Sequence, residues 1–236
     1  MKHYGLIGRN ISYSISPELH NKAFVEAGVE AEYSIYDLPN LTNFREVMKK
    51  IDGANITIPY KQAVIPMLDR LTHKALVVGA VNTICKHKGK LVGDNTDCDG
   101  FFALLDEARE VMRKNGYEFQ PNDCILVLGN GGAAKAVIYV LDNIGLKHNT
   151  ATHSQMNEGC INIENYRMVV NATPNHHPNI NYDGFCSGKC AIDLTYNPNE
   201  TDFLAEARTK GAFTFNGMTM LKKQAECARK LWIEDN

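Results

Sequence analysis

Hydrophobic positions along the chain follow two patterns. Short runs rich in Val and Ile, bounded by Gly, Pro or Asn, are typical of buried strands, whereas apolar residues three or four positions apart are typical of helices that face a core. We predict strands at 3–8, 32–38, 53–59, 81–87, 90–94, 124–129, 147–153, 166–174, 189–196 and 212–217. We predict helices at 16–28, 43–51, 99–116, 133–145, 200–211 and 218–232.

Strands and helices alternate along most of the chain, which indicates parallel sheets with crossover helices and therefore an α/β fold. The long helix after Thr96 and the polar, proline-containing break that follows it mark the expected crossing from a first domain to a second. The last helix is expected to return to the first domain. We therefore predict one domain of residues 1–100 with 218–236 and another of residues 101–217.

Composition limits the possible functions. The chain has 236 residues, a formal net charge of −2, 44% hydrophobic residues and 22% charged residues. Charges of both signs are spread along it without a basic stretch, so we expect no nucleic acid and no membrane as partners. The N-terminus has too short an apolar run for a signal peptide, and the seven scattered cysteines indicate free thiols, which together predict a cytoplasmic location. Cys186 and Cys190 lack a second ligand pair at zinc-site spacing, so no metal is predicted.

Individual residues predict where the first helix begins and ends and where two strands form a hairpin. Ser16 is predicted as the N-cap of the first helix, with Pro17 in its first turn and Gly28 as its end. A Lys-Gly turn at residues 88–89 separates two short strands and predicts a hairpin.

A glycine-rich turn follows the strand at 124–129. Gly129, Gly131 and Ala134 match G-x-G-x-x-G/A between a buried-type strand and a helix, which is the setting that dinucleotide binding requires. The glycines allow a tight turn and a close approach of a pyrophosphate, and the helix N-terminus offers free N–H groups to its oxygens. The alternative is a strand-to-helix turn without a ligand.

The ribose side of this motif is unusual. An NAD-binding unit usually carries Asp or Glu roughly 20 residues further on. Residues 149–155 read NTATHSQ and contain neither a carboxylate nor an arginine, so His153, with Lys147 and His148 nearby, is the cationic option there. The following crossover is short and a poor helix by propensity, and we expect a reduced wall on the adenine side.

Polar residues of the first domain stand near predicted strand ends, where open α/β sheets form their ligand crevice. They are Ser14, Ser16, Asn55, Thr57, Lys61, Asn82, Asn95 and Asp97. Such hydroxyls, amides, one amine and one carboxylate suit a small polyhydroxy acid. Each also has a structural alternative: Lys61 could be a solvated lysine at the start of a short helix, Asp97 could cap a helix starting near Asp99, and the asparagines could be turn residues.

Several motifs together resemble the shikimate dehydrogenase family over nearly the whole chain. The motifs are GLIGRNISYSISPELHNKAF, GANITIPYK, GAVNTI, GDNTDCDG, GNGGAAKA, NATP, DLTYNPNETDFLAEARTKGA and NGMTMLKKQAECA, in that order. The resemblance implies an N-terminal α/β substrate domain, a Rossmann-like dinucleotide-binding domain and a substrate cleft between them. It implies reversible NADPH-dependent reduction of 3-dehydroshikimate to shikimate, a step towards chorismate and the aromatic amino acids.

The resemblance also implies roles for individual residues. Ser14 and Ser16 would bind the substrate carboxylate, and Lys61 would be the acid/base residue, with Asp97 as its catalytic partner. The hydroxyls and ring of the substrate would be held by Thr57, Asn82, Asp97 and Gln224, with Tyr196 and Gly217 near the nicotinamide and substrate. The cofactor would contact Gly129, Asn130, Gly131, Gly132, Ala133, His153 and Thr173.

Two departures from the family pattern bear on cofactor choice. Thr152, His153 and Ser154 stand where the family usually has Asn-Arg-Thr, and the helix that follows is expected to be largely deleted. Tyr13 stands where the family often has His. The resemblance implies NADP as the cofactor, and the missing arginine leaves NAD possible. The expected assembly is a monomer or homodimer. A quinate/shikimate dehydrogenase, a binding protein without turnover and a purely structural module are the alternatives.

Overall fold

A computed structural model describes residues 1–233, so residues 234–236 of the predicted first domain lie outside it. The chain forms two compact units, residues 1–96 with 222 onward, and residues 97–221. The α/β prediction is confirmed, with a mixed sheet in the first unit and a wholly parallel sheet in the second.

The first unit is built on a six-stranded sheet in the order β2-β1-β3-β5-β6-β4. Its strands are β1 (Lys2–Gly8), β2 (Ala31–Asp37), β3 (Gly53–Ile56), β4 (Arg70–Leu71), β5 (Thr83–His87) and β6 (Lys90–Asp94). Its helices are α1 (Ser16–Glu26), α2 (Phe44–Lys50), α3 (His73–Val78) and, from Lys222, the greater part of α8 (Met218–Ile233). Strand β1 is parallel to β2 and β3, whereas β5 is antiparallel to β3 and β6.

The predicted hairpin between β5 and β6 is confirmed. Lys88 and Gly89 both have positive φ angles, 51° and 77°, which is the backbone conformation of a two-residue hairpin turn. The hairpin brings Thr83, at the start of β5, opposite Asp94, at the end of β6.

The prediction that Ser16 is the N-cap of α1 is wrong. Ser16 is the first helical residue, and the N-cap is Ile15, whose carbonyl accepts the Leu19 N–H at 3.1 Å. The Ser16 hydroxyl instead accepts a hydrogen bond from the Ser14 hydroxyl at 3.1 Å. Pro17 does stand in the first turn, and Gly28, with φ of 65°, follows the helix end.

Three other features differ from what the sequence predicts: the end of β3, a short helix expected to begin near Lys61, and the start of α4. Strand β3 ends at Ile56. The Thr57 N–H makes the last hydrogen bond of the β1–β3 ladder, to the Ile7 carbonyl at 2.9 Å, and the Tyr60 N–H then closes a turn onto the Thr57 carbonyl at 2.8 Å. No α-helix begins near Lys61; a turn leads into a short 3₁₀-helix, Ile65–Met67. Helix α4 (Asp97–Lys114) starts two residues before Asp99, so Asp97 is its first residue and not a cap preceding it.

The second unit has a five-stranded parallel sheet in the order β11-β10-β9-β7-β8. Its strands are β7 (Cys124–Leu128), β8 (Lys147–Ala151), β9 (Met168–Asn171), β10 (Cys190–Asp193) and β11 (Phe213–Phe215), and its helices are α4, α5 (Gly132–Asn143), α6 (His153–Glu158), α7 (Asp202–Thr209) and the first turn of α8. The chain runs outward from β7 to β8 and then returns to β9 on the other side of β7. This reversal is the topological switch point at which open α/β sheets bind ligands.

The side chain of Lys189 stabilises the short crossover between β8 and β9. The crossover contains only one turn-and-a-half of helix, α6, before an irregular stretch. Lys189 Nζ donates hydrogen bonds to the carbonyl oxygens of Ile163, Glu164 and Gly184 at 3.2, 2.6 and 2.6 Å. Partial burial lowers the pKa of this lysine, and the three carbonyl oxygens compensate its ammonium group for lost hydration.

Candidate active site

Two neighbouring loops of the first unit carry four of the predicted substrate residues. The segment after β1 holds Ser14 in its loop and Ser16 at the start of α1, and the loop after β3 holds Thr57 and Lys61. Gly8 permits their close approach, because a Cβ at this position would lie 2.6 Å from Thr57 Cγ2. The Arg9 N–H also bonds the Ile58 carbonyl at 3.0 Å, which joins the two loops directly.

The serine loop is held in place from β2. Both carboxylate oxygens of Asp37, the last residue of β2, accept backbone N–H groups, from Asn10 at 2.9 Å and from Ile11 at 3.0 Å. The structure places Ser14 and Ser16 side by side, with Ser16 buried and Ser14 half-buried. A pair of adjacent hydroxyls on a fixed loop can donate to both oxygens of one carboxylate.

Lys61 is half-buried and lies beside the strand that carries Asn82. Its backbone carbonyl accepts the Val81 N–H at 2.7 Å, while the Ile56 N–H bonds the Asn82 carbonyl at 2.8 Å. The preceding Tyr60 is buried and its hydroxyl donates to the Leu38 carbonyl at 2.6 Å. The loop that carries the predicted acid/base lysine is therefore anchored on both sides.

Asn82 lies in a buried polar cluster with Thr96 and Gln224. Its Oδ1 accepts the Thr96 N–H at 2.6 Å, and its Nδ2 lies 3.0 Å from Thr96 Oγ1 and 3.4 Å from Gln224 Oε1. Helix α8 thus brings Gln224 to Asn82 although the two are far apart in sequence. Asn82 is not merely a turn residue, since its side chain makes these contacts in the interior.

The segment after β6 contains Asn95 and Asp97. Asn95 is fully buried and donates from Nδ2 to the Ala80 carbonyl at 2.9 Å, which ties this segment to the one preceding Asn82. Asp97 is 5% exposed and opens α4, where the N-terminal end of the helix dipole favours its negative charge.

The glycine-rich turn follows β7 at the switch point. Gly129 has a φ of 109°, which favours glycine, and a Cβ there would lie 3.0 Å from Thr173 Cγ2. The turn continues through Asn130 to Gly131, the N-cap of α5, and then through Gly132 and Ala133. Because Gly131 has no side chain, it cannot cap the first-turn N–H groups, and they suit phosphate oxygens. Ala134 is fully buried against the sheet, as the motif requires.

Thr173, after β9, is oriented by Asn171, which the buried carboxylate of Asp193 holds in turn. Both its N–H and its hydroxyl donate to Asn171 Oδ1, at 3.1 and 2.7 Å. Asn171 Nδ2 donates in turn to Asp193 Oδ2 at 3.2 Å, and Thr201 donates to the same oxygen at 2.7 Å. The sequence reasoning missed these supporting groups, although Asn171 belongs to the NATP motif.

Tyr196 and Gly217 belong to adjoining segments of the second unit. The Gly217 N–H bonds the Thr195 carbonyl at 2.9 Å, and a Cβ at Gly217 would lie 2.0 Å from the Leu194 carbonyl oxygen. No larger residue fits there without displacing the chain. Gly129, Thr173, Tyr196 and Gly217 therefore all follow the carboxyl ends of parallel strands at one edge of the sheet.

His153 lies apart from this group, at the start of α6 beyond the edge strand β8. It is exposed, and its Nδ1 lies 2.9 Å from Asn157 Nδ2. The Thr152 side chain and Gln155 form a capping box, so the Thr152 hydroxyl serves the helix end. Among residues 1–233, no group of three or more His, Cys, Asp or Glu side chains could hold a metal ion, and no helix is both long and apolar enough to cross a membrane.

These features define an α/β protein with a dinucleotide-type glycine turn in its second unit and, in its first unit, buried polar side chains of the kind that suit small hydroxylated acids. Comparison with known proteins finds similarity to one family at the level of sequence and of structure. Residues 6–84 match the family model for the shikimate dehydrogenase substrate binding domain. The chain is 36% identical to the shikimate dehydrogenase (NADP(+)) of Clostridium beijerinckii, covering 99% of this chain and 93% of that one, and 33% identical to that of Chlorobaculum tepidum, covering 98% and 90%.

Solved structures agree with the sequence relatives. The shikimate 5-dehydrogenase of Thermus thermophilus in complex with shikimate is 31% identical, with a TM-score of 0.83 over 99% of this chain and 93% of that one. The same enzyme in complex with NADP(H) and shikimate has a TM-score of 0.82, covering 99% and 94% of the two chains. The chain belongs to the shikimate dehydrogenase family.

Proposed function

We propose that this protein is a shikimate dehydrogenase, which reversibly reduces 3-dehydroshikimate to shikimate with NADPH in the pathway to chorismate and the aromatic amino acids. The observation that carries this proposal is the 36% identity across 99% of the chain to an enzyme of that name. The arrangement of polar groups in each unit supports it, because the predicted substrate and cofactor residues follow strand ends.

On the substrate side, the Ser14 and Ser16 hydroxyls bind the carboxylate. Thr57, Asn82, Asp97 and Gln224 bind ring hydroxyls, and Tyr196 contributes from the segment beside Gly217. The buried positions of Asn82 and Gln224 make recognition strict, since a substrate lacking the matching hydroxyl would leave buried polar groups without partners.

Lys61 is the acid/base residue. In reduction, its ammonium group gives a proton to the oxygen of the ring ketone as the C–O double bond becomes a C–OH single bond. In oxidation, the neutral amine takes that proton back. Asp97 orients the reacting hydroxyl and balances the lysine charge, and NADPH, when bound, supplies the hydride that the carbonyl carbon accepts.

The second unit fits a dinucleotide. Gly129 has the positive φ of the tight turn, and nothing lies within 4 Å of a Cβ built on Gly131, so the backbone is accessible to a pyrophosphate. Gly129, Asn130, Gly131, Gly132 and Ala133 form that cradle. Thr173 contacts the cofactor on one side, with Gly217 on the nicotinamide side and His153 on the ribose side.

NADP is the proposed cofactor, and NAD is the second candidate. The relatives quoted above are named as NADP(+) enzymes. In this chain no arginine occurs between residues 114 and 166, and the Thr152 hydroxyl is engaged in the α6 cap. The ribose side therefore offers a 2′-phosphate the exposed His153, with Lys147 and His148 nearby, in place of an arginine, which motivates the NAD alternative.

The proposed functional domains are residues 1–100 with 218–236 for the substrate and residues 101–217 for the cofactor. We further propose a cytoplasmic monomer or homodimer, in keeping with seven free cysteines.

A steady-state assay tests this proposal. Purified protein is given shikimate or quinate with NADP or NAD, and reduced cofactor is followed at about 340 nm, the absorbance band of the reduced nicotinamide. We expect oxidation of shikimate with NADP as the highest kcat/KM of the four combinations. A higher value with quinate would identify a quinate-type enzyme, and measurable shikimate binding without turnover would identify a binding protein.

A further inference from the structure

A chain of buried hydrogen bonds runs from β2 to Asn82. The Tyr33 hydroxyl donates to Asn55 Oδ1 at 2.9 Å. Asn55 Nδ2 donates to Thr83 Oγ1 at 3.0 Å, and Thr83 Oγ1 donates to Asn82 Oδ1 at 3.0 Å. These four side chains are between 0 and 4% exposed, so no water competes for their hydrogen bonds.

Backbone groups fix the direction of this chain. Asn55 Nδ2 also donates to the Asn82 carbonyl at 3.1 Å, and because a carbonyl can only accept, the Asn55 amide cannot be flipped. Asn82 Oδ1 accepts the Thr96 N–H at 2.6 Å, and because a backbone N–H can only donate, the Asn82 amide is fixed as well. Its N–H₂ group must then face Thr96 Oγ1 and Gln224.

The far end of the chain is rigidly held. The Tyr33 ring stacks on the His20 ring, with centroids 4.1 Å apart and planes 1° from parallel. The Asn21 side chain accepts the Tyr33 N–H at 2.7 Å and donates to the Tyr33 carbonyl at 3.0 Å. These contacts hold the Tyr33 ring and backbone in place, with the Tyr33 hydroxyl within hydrogen-bond distance of Asn55 Oδ1.

We propose that Tyr33, Asn55 and Thr83 form a positioning relay that adds a second hydrogen bond to Asn82 Oδ1 beside that of the Thr96 N–H, restrains the Asn82 side chain with its N–H₂ group towards Gln224, and thereby sets the affinity for the substrate. The inference rests on the proposed function, in which Asn82 and Gln224 bind ring hydroxyls. None of the three relay residues needs to touch the substrate, and they act through Asn82.

The relay acts on binding and not on proton transfer. Asn82 holds the substrate in the ground state and in the transition state alike, whereas the proton moves at Lys61. Loss of the Thr83 hydrogen bond leaves Asn82 Oδ1 held by the Thr96 N–H alone, so the amide is less tightly positioned; KM and the equilibrium Kd for shikimate rise and kcat stays nearly unchanged. A purely structural role would lower thermal stability and leave Kd unchanged.

Thr83 provides the sharpest test, because two substitutions separate its hydroxyl from its shape. Thr83→Val keeps the volume and removes the hydroxyl, and Thr83→Ser keeps the hydroxyl. For Thr83→Val we expect Kd and KM for shikimate to rise by about tenfold, the equivalent of one orienting hydrogen bond, with kcat within about twofold. Thr83→Ser should restore Kd to within about threefold of the wild-type value.

Tyr33→Phe tests the far end in case Thr83→Val does not fold. Its matched control is Tyr4→Phe, since Tyr4 is another buried tyrosine of the same aromatic cluster and lies outside the relay. Tyr33→Phe should raise Kd for shikimate several-fold, and Tyr4→Phe should not. Unchanged Kd in both Tyr33→Phe and Thr83→Val overturns the relay while wild-type turnover still supports the proposed function. Absence of wild-type turnover overturns the proposed function itself, and the Kd comparison still decides whether the relay exists.

Discussion

The substrate side of the first unit and the ribose side of the second unit hold their polar groups in opposite ways. Asn55, Asn82 and Thr83 are at most 4% exposed and each makes several hydrogen bonds, and backbone groups fix the orientation of the two asparagine amides. His153 and Ser154 are exposed on a six-residue helix. Preorganised buried groups discriminate strongly between ligands, whereas exposed side chains at a helix end discriminate weakly. We therefore expect strict substrate choice together with permissive cofactor choice.

Among the predictions that bear on this comparison, the largest loss of activity is expected for a substitution of Asp97. Asp97→Asn should lower kcat/KM for shikimate by about 10²-fold or more, because the variant loses the carboxylate that orients the reacting hydroxyl and balances Lys61. Asp99→Asn is the matched control, since both residues are acidic groups of the first turn of α4. A helix-end role alone would make the two variants equally active and lower the stability of each by about 0.3–1 kcal/mol.

Burial on the substrate side should make folding stability depend on pH. Burial, with a smaller contribution from Arg229, lowers the pKa of His20 from 6.5 to about 3. Below pH 6.5 the unfolded chain therefore takes up a proton that folded His20 does not, so stability is lost as pH falls from 6.5 towards 3. Between pH 7.5 and pH 5 this amounts to about 2 kcal/mol.

Urea denaturation at those two pH values measures the effect of His20. His20→Phe keeps an aromatic ring on Tyr33 and should reduce the loss of stability by about 2 kcal/mol. His177→Phe is the control, because His177 also stacks on a tyrosine, Tyr182, but is exposed. If His20→Phe and wild type lose stability equally, His20 is charged in the folded protein and the assignment is wrong.

Lys189 tests whether the short crossover depends on one side chain. Lys189→Met keeps much of the side-chain length and removes three hydrogen bonds to backbone carbonyls, so it should lower the free energy of unfolding by about 1.5 kcal/mol. Lys210→Met removes an ion pair between Lys210 and Asp183 on an exposed surface and should cost much less stability than Lys189→Met, because solvent screens such a pair. Equal losses in chemical denaturation would show that Lys189 has no special role.

The smallest expected effect is a change in KM for the cofactor, and it tests the ribose side of the second unit. His153→Arg should lower KM for NADP by about fivefold, because a guanidinium can form two hydrogen bonds to a 2′-phosphate, and should leave KM for NAD unchanged. His153→Lys is a useful companion, since it adds charge without the planar fork. An equal improvement for NAD, which has no 2′-phosphate, would place the new side chain elsewhere.

The fold was largely predictable because its signals are local. The alternation of apolar runs with helix-type patterns predicted strands β1, β2 and β7 and helices α2 and α5. The Lys-Gly turn predicted the hairpin. The errors fell at element ends, where a few hydrogen bonds decide the boundary: the Ser14 hydroxyl donates to the Ser16 hydroxyl, and the Tyr60 N–H closes a turn onto the Thr57 carbonyl just after β3. Helix α3 was missed although Thr72 caps it and Gly79, with φ of 65°, ends it.

The candidate site was predictable only in part. Ser14, Lys61, Asn82 and Gly129 belong to recognisable sequence motifs, and their residue types suit substrate or cofactor binding. Their individual roles stay predictions. Supporting residues such as Tyr33 and Asp193 were not found, because a buried tyrosine or aspartate has no distinctive local pattern. Their partners, Asn55 and Asn171, come from distant strands that only the folded sheet brings close.

Lys61 carries the central claim, and one comparison tests it most directly. Turnover of shikimate and equilibrium binding of shikimate are measured on Lys61→Ala, with Lys49→Ala on the exposed face of α2 as control. We predict that Lys61→Ala lowers kcat by about 10²–10⁴-fold, the contribution typical of a general acid, while shikimate still binds within about fivefold of the wild-type affinity. Near-normal turnover by Lys61→Ala would contradict the account.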